Sequence, residues 1–89
     1  MKTIICGIPV SIVQRATNTK DDNNYGRFSG KEALITLDKT MPKAIQEATL
    51  VHEWVHGVLE YNGIDHGEIL VAVLATELYR SGYRVKLVK

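Results

Sequence analysis

His52, Glu53 and His56 fall in the spacing His-Glu-X-X-His, inside an apolar-periodic run from Pro42 to Tyr61. On an α-helix, positions i and i+4 stand one turn apart on one face, so His52 and His56 can present two imidazoles to a single metal ion. Glu53 lies about 100° round the helix from His52 and about 60° from His56. From there a carboxylate reaches a metal-bound water without becoming a ligand itself. Two imidazole ligands and a neighbouring Glu as general base are the working parts of a zinc hydrolase. In a chain of this length the pattern arises by chance on the order of a few times per thousand sequences, because His is rare. The plainer alternative is a helix with two partly buried, hydrogen-bonded histidines and a surface Glu.

The whole chain sets the frame for that helix. Its 89 residues make one domain, 1–89, with a small core. Metal ligation would add to the stability of a fold this size. A net charge of +1 gives no nucleic-acid footprint. No stretch approaches the length of a membrane span, and no cleavable leader is evident at the N-terminus. The one cysteine, Cys6, has no partner for an internal disulfide and reads as a buried strand residue in a reducing compartment. These features together predict a cytoplasmic protein.

The elements that must position the motif are legible in outline. Residues 1–37 read as two β-hairpins. Thr3–Cys6 and Val10–Arg15 form the first, broken by Gly7-Ile8-Pro9; Tyr25–Ser29 and Ala33–Leu37 form the second, turning at Gly30-Lys31-Glu32. The all-polar residues 17–24 read as an exposed loop, padding rather than a flap. Asp38 and Thr40 are candidate caps for a helix over 42–61, with Pro42 in its first turn. That helix buries most of its circumference and is open where Glu53 points, in the polar sector of Gln46, Thr49 and Glu60. Trp54 reads as core or interface packing, and an exposed patch around it would allow a weak homodimer. Asn62-Gly63 closes the helix, with Ile64 as the apolar residue beyond. A second helix over 65–80 opens with Asp65 and Glu68 in capping-box spacing and ends at Ser81-Gly82. Residues 83–89 alternate weakly, as a last strand or a tail. The pattern is α+β: a small antiparallel or mixed sheet packed on two antiparallel helices.

A zinc site with an open position needs a third protein ligand, and Glu68, His66 and Glu77 are the candidates. Two helices joined by so short a loop are antiparallel neighbours. His56 then sits about 7 Å before the end of the first helix and Glu68 about 4 Å into the second, nearly level. Glu77 lies about 18 Å along and about 180° round from Glu68, on the face where Arg80 is a natural partner. Geometry ranks Glu68 first, then His66, then Glu77. Glu68 could instead only cap its helix, and His66 could be an exposed first-turn residue.

Leu50-Val51-His52-Glu53-Trp54-Val55-His56, followed by Gly63-Ile64-Asp65 and by Glu68 through Leu78-Tyr79, resembles the small phage and prophage His-Glu-X-X-His proteins grouped with ImmA/IrrE-type metallopeptidases. The likeness covers roughly residues 25–80 and is more specific for zinc than for substrate. It implies a minimal zincin-like fold, with His52, His56 and Glu68 as zinc ligands and Glu53 as catalytic base. Gly63-Ile64-Asp65-His66-Gly67 is also similar to the His-Gly that supplies the third ligand in SprT-like zinc proteases. The spacing from His56 is short for that family, and its following bulky aromatic is missing.

The chemistry implied is hydrolysis of a peptide bond in a peptide or protein substrate. Zinc acidifies its water and polarises the carbonyl, while Glu53 takes the water's proton and returns it to the leaving amine. By the zincin plan, the strand Ala33–Leu37 would be the edge that pairs with an extended substrate. Tyr79 and Tyr83 are possible oxyanion donors, though both suit packing. The alternatives are a zinc-stabilised, catalytically inactive phage-encoded binding or regulatory protein, and a hydrolase of a non-peptide amide.

Overall fold

A computed structural model describes residues 1–16 and 25–88. The polar stretch 17–24, read from sequence as a loop, lies outside the described residues. Four strands and two helices follow in order: β1 (Lys2–Ile5), β2 (Ile8–Arg15), β3 (Gly26–Ser29), β4 (Leu34–Asp38), α1 (Lys43–Tyr61) and α2 (Glu68–Arg80). No helix among the described residues is long and apolar enough to cross a membrane.

The strands form one mixed sheet in the order β1-β2-β4-β3. Both predicted hairpins are present. β1 pairs antiparallel with β2, from Lys2 opposite Ser11 to Ile5 opposite Ile8. β3 pairs antiparallel with β4, from Gly26 opposite Leu37 to Ser29 opposite Leu34. The hairpins join through parallel pairing of β2 with β4, from Ser11 opposite Leu34 to Arg15 opposite Asp38. This corrects one expectation: the strand Ala33–Leu37 is not an edge. β4 is paired on both sides, and the free edge nearest the motif belongs to β3.

The first hairpin turns one step earlier than the sequence suggested. Cys6 and Gly7 occupy the turn, both with positive φ (52° and 79°), and Ile8 and Pro9 already belong to β2. This two-residue, left-handed turn matches the twist of the strands it joins. Cys6 is therefore exposed rather than buried in a strand. It looked buried because the apolar run Ile4-Ile5 continues into it, whereas the turn needs residues at φ > 0.

One face of the sheet buries Ile5, Val10, Ile12, Ile35 and Leu37, against which Leu50, Trp54, Val58 and Tyr61 of α1 pack. Alternation along β1 and β2 is what a sheet covered on one face produces. On its other flank α1 contributes Val51 and Val55 to a second cluster with Val71 and Ala75 of α2 and Val85 of the C-terminal segment. That segment adds a single bridge, Val88 to Lys2, and its Lys86 carbonyl accepts a bond from the Thr3 hydroxyl at 2.7 Å. Trp54 packs against the Tyr83 ring at 5.2 Å.

Capping differs from expectation at both helix starts. Pro42 is the N-cap of α1, and no side chain caps it. The Asp38 carboxylate accepts from the backbone N–H and hydroxyl of Thr40 (2.9 and 2.6 Å), closing the turn after β4. α2 begins at Glu68 with Gly67 as N-cap, so the Asp65–Glu68 capping box does not form. Both helix ends do follow the sequence signals. Gly63 N–H donates to Glu60 O and Ile64 N–H to Leu59 O, and Gly82 and Tyr83 repeat the pattern on Tyr79 and Leu78.

Gly57 sets how closely α1 lies on the sheet. A Cβ there would stand 2.7 Å from the Ile5 Cδ1 and 3.1 Å from the Phe28 ring. Ile5 is fully buried and cannot swing clear. Gly57→Ala should therefore destabilise the protein although alanine favours helix by about 1 kcal/mol. Overpacking costs about 1–3 kcal/mol, so we expect a net loss near 1 kcal/mol and a melting temperature lower by about 4–8 °C. A melting temperature that stays level or rises would show that the helix–sheet contact yields freely.

Candidate metal centre

α1 delivers His52 and His56 to one side of the molecule, one helical turn apart, with ring centroids 5.0 Å apart. The six residues 62–67 then return the chain so that Glu68, first in α2, meets both rings. Its Oε1 lies 2.7 Å from the His56 Nε2 and its Oε2 3.3 Å from the His52 Nε2. The three residues offer ligand atoms all within 4.8 Å of one another, a group that could hold a metal ion. Glu68 does this because it is not spent on capping its own helix. Its side chain is 74% exposed, which leaves the three donors open toward solvent on one side.

His66, the second candidate ligand, goes elsewhere. Its Nε2 lies 3.0 Å from the His56 Nδ1, the nitrogen turned away from Glu68, and its own Nδ1 lies 2.9 Å from the Ile64 carbonyl oxygen. Glu77 is on the far face, with the Arg80 guanidinium donating to it at 3.5 Å. Of the three candidates, only Glu68 joins His52 and His56 in the converging donor group.

The donor set fits a divalent cation of the zinc type on chemical grounds. A carbonyl only accepts, so the Ile64 oxygen requires hydrogen on the His66 Nδ1, and one proton lies between the His66 Nε2 and the His56 Nδ1. The His56 Nε2 lies 2.7 Å from a Glu68 carboxylate oxygen, where a proton on that nitrogen, or a cation, must join the two. Burial lowers the His56 pKa, with Glu68 opposing and His52 and His66 adding to the fall, so the ring resists a second proton. A metal cation between the nitrogen and the carboxylate turns the same geometry into ligation, with two imidazoles, one carboxylate and one open position.

Glu53 stands beside this group but on the sheet side of α1. The sector expected to be open is closed over at its centre: Glu53 is only 7% exposed, Gln46 and Thr49 are half-buried, and Glu60 is exposed. Small residues make the difference. Gly26 lies so close to Thr49 that a Cβ would come within 2.7 Å of its methyl group, and Gly57 likewise meets Phe28. β3 therefore closes over the polar sector. Burial, with a contribution from the Glu68 carboxylate, raises the Glu53 pKa from 4.5 to about 7, and the charge of Arg27 on β3 partly offsets the rise. Arg27 and the second face of His56 are the features that sequence reading missed. Nothing local in the sequence marks Arg27, because the β3 edge comes beside α1 only through the tertiary fold.

Two grooves meet at the group. One, of about 520 Å³, is lined by Tyr25, Ala44, Ile45, Ala48, Thr76 and Tyr79 beside His52 and Glu53. The other is smaller and polar, with Arg27 and Glu60 beside His56 and Glu68. Of the two candidate oxyanion donors, the Tyr79 hydroxyl donates to the Ala44 carbonyl and its ring lies under the Arg84 guanidinium, while the Tyr83 ring packs on Trp54.

A buried carboxylate with a raised pKa has a signed effect on stability. Between pH 4.5 and about 7 the folded chain keeps the Glu53 proton that the unfolded chain has lost. Stability from this group is therefore present below that window and falls as pH rises through it. The loss amounts to roughly 3 kcal/mol at about 1.4 kcal/mol per pKa unit. In chelator-treated protein, Glu53→Gln should raise the melting temperature at pH 8 and change it little at pH 4. Equal melting temperatures at pH 8 would mean that Glu53 ionises without cost.

Comparison with protein-family models, with curated proteins and with solved structures finds no match to this chain. The functional reading therefore rests on the geometry of the site.

Proposed function

We propose that this chain is a zinc-dependent metallopeptidase of minimal, zincin-like build, related in kind to the ImmA/IrrE-type phage and prophage proteins its motif resembles. One observation carries the reading: a buried carboxylate with a pKa near neutrality, Glu53, adjoins a converging His52–His56–Glu68 donor group. His52, His56 and Glu68 would hold the ion, which when bound supplies Lewis acidity to the scissile carbonyl and to the attacking water.

The chain's own residues supply the rest. A base is most useful when its pKa lies near the working pH, since it must both take and return the proton. In the metal-free chain burial raises the Glu53 pKa toward neutrality, and the charge of Arg27 partly offsets the rise. The β3 edge, Gly26 to Ser29, runs past Glu53 and has no strand on its outer side among the described residues, so it offers backbone pairing to an extended peptide. The groove beside His52 has the size and mixed lining of a side-chain pocket, with Ile45, Ala48 and Tyr25 as its apolar surface.

A second reading has its own support. α2 leaves Ile69, Leu70, Val73 and Leu74 between 41% and 83% exposed, an apolar face of the kind interaction modules carry. On that reading the metal is structural and the chain is an inactive, zinc-stabilised binding or regulatory protein.

Glu53→Gln separates the two. Zinc-loaded wild type should cleave members of an unbiased peptide library, and Glu53→Gln should cut the rate by about 100- to 10,000-fold while binding as much zinc as wild type. Glu68→Ala and His52→Ala should lose the zinc itself. Cleavage that persists in Glu53→Gln, or a zinc-loaded wild type that cleaves nothing in the library, would favour the binding module.

A further inference from the structure

We propose that His66 is a positioning residue for the metal centre: by accepting the Nδ1 proton of His56, it fixes the tautomer whose Nε2 lone pair faces the ion. This rests on reading His52, His56 and Glu68 as ligands, and it assigns His66 a role other than ligation.

The geometry leaves His66 little choice. Both its nitrogens are engaged, Nδ1 with the Ile64 carbonyl at 2.9 Å and Nε2 with the His56 Nδ1 at 3.0 Å. Neither belongs to the converging donor group. The Ile64 carbonyl is itself held by the helix end, since the Ile64 N–H donates to the Leu59 carbonyl at 2.9 Å and Gly63 takes the positive φ (68°) that this turn requires. With a metal ion on the His56 Nε2, the order of donation follows from the carbonyl, which cannot donate. The carbonyl accepts from His66 Nδ1–H, His66 Nε2 accepts from His56 Nδ1–H, and the His56 Nε2 is left unprotonated. A metal-ligating imidazole commonly gives its other N–H to an acceptor, which sets its orientation and basicity. Here the acceptor is a second imidazole, oriented by a backbone carbonyl.

Removing His66 frees the alternative tautomer. With no acceptor at Nδ1, His56 can carry its proton on Nε2 and donate to the Glu68 oxygen 2.7 Å away. That hydrogen bond occupies two of the three ligands at once. The same short segment thus delivers both the ligand, Glu68, and, two residues earlier, the group that keeps the ligand's partner ready.

The test reads the tautomer and the affinity separately on the full chain. In chelator-treated wild type at pH 8, two-bond ¹H–¹⁵N spectra of labelled histidine should show His56 in the Nδ1–H form. In His66→Ala the signal should move toward the Nε2–H form. Zinc affinity, measured by competition with a chromophoric chelator, should weaken by about 10- to 100-fold, with about one zinc per chain still bound at saturation. His66→Gln, whose side-chain oxygen can reach the place of the imidazole Nε2, should recover most of the affinity and the wild-type tautomer. An unchanged affinity, an unchanged tautomer in His66→Ala, or a zinc loss as complete as in Glu68→Ala would each overturn the role; the last would make His66 a ligand. A wild-type chain that takes up no zinc would overturn the metal reading first, before any substitution is compared.

Discussion

Three groups with lone pairs, the Nε2 atoms of His52 and His56 and the carboxylate of Glu68, are held within 4.8 Å of one another. Acceptors this close repel unless a proton or cation joins them, and the same three groups could hold a metal ion. Much of the local structure serves that convergence. α1 supplies the two imidazoles from one face. The glycine-closed helix end at Asn62-Gly63 reverses the chain within six residues. α2 starts at Glu68, so the carboxylate emerges level with His56 rather than a turn beyond it. Had Asp65 and Glu68 formed a capping box, the helix would begin earlier and Glu68 would be bonded to backbone. The missing cap and the available ligand are one fact.

The base is made by packing. Glu53 would be an ordinary surface carboxylate if α1 stood slightly further from the sheet. Gly26 on β3 and Gly57 on α1 remove the methyl groups that would hold the two apart, and Thr49 fills the space against Gly26. The edge strand then desolvates Glu53 and places Arg27 near it, two effects of opposite sign on its pKa. The strand that raises the pKa is also the free edge, so the base and the backbone that would align a peptide are parts of the same contact.

Local signals in the sequence foretold local structure. The His-Glu-X-X-His spacing, the two hairpins, the α1 span and the glycine-closed helix ends were all readable, because each depends on residues within a few positions of one another. Glu68 was reachable by adding helix geometry to a short loop. The failures over the edge strand and the open helix face involve contacts between segments distant in sequence. Parallel pairing of β2 with β4 moved the edge from Ala33–Leu37 to Gly26–Ser29, and alternation within one strand cannot reveal its neighbours. Polar residues at Gln46, Thr49 and Glu53 suggested an open helix face, yet glycines on two elements allowed a sheet to cover it. Cys6 continued an apolar run but fell in the turn, where left-handed backbone outweighs hydrophobicity.

The organisation of the core bears on what the metal does. Leu50 and Trp54 pack in both apolar clusters, so α1 is shared between the sheet and α2. An ion joining His52 and His56 to Glu68 would reinforce the α1–α2 contact already made by Val51, Val55, Val71 and Ala75. Metal binding would then appear as folding stability whether the protein is a hydrolase or a binding module. Glu53 is what separates the two. It contributes no ligand atom to the donor group, and burying its charge costs the fold stability at neutral pH. A purely structural site would be served as well by Gln at that position, without the penalty. A carboxylate buried beside this donor group, its pKa raised toward neutrality by burial, is accounted for by the proposed hydrolysis and not by a purely structural metal site.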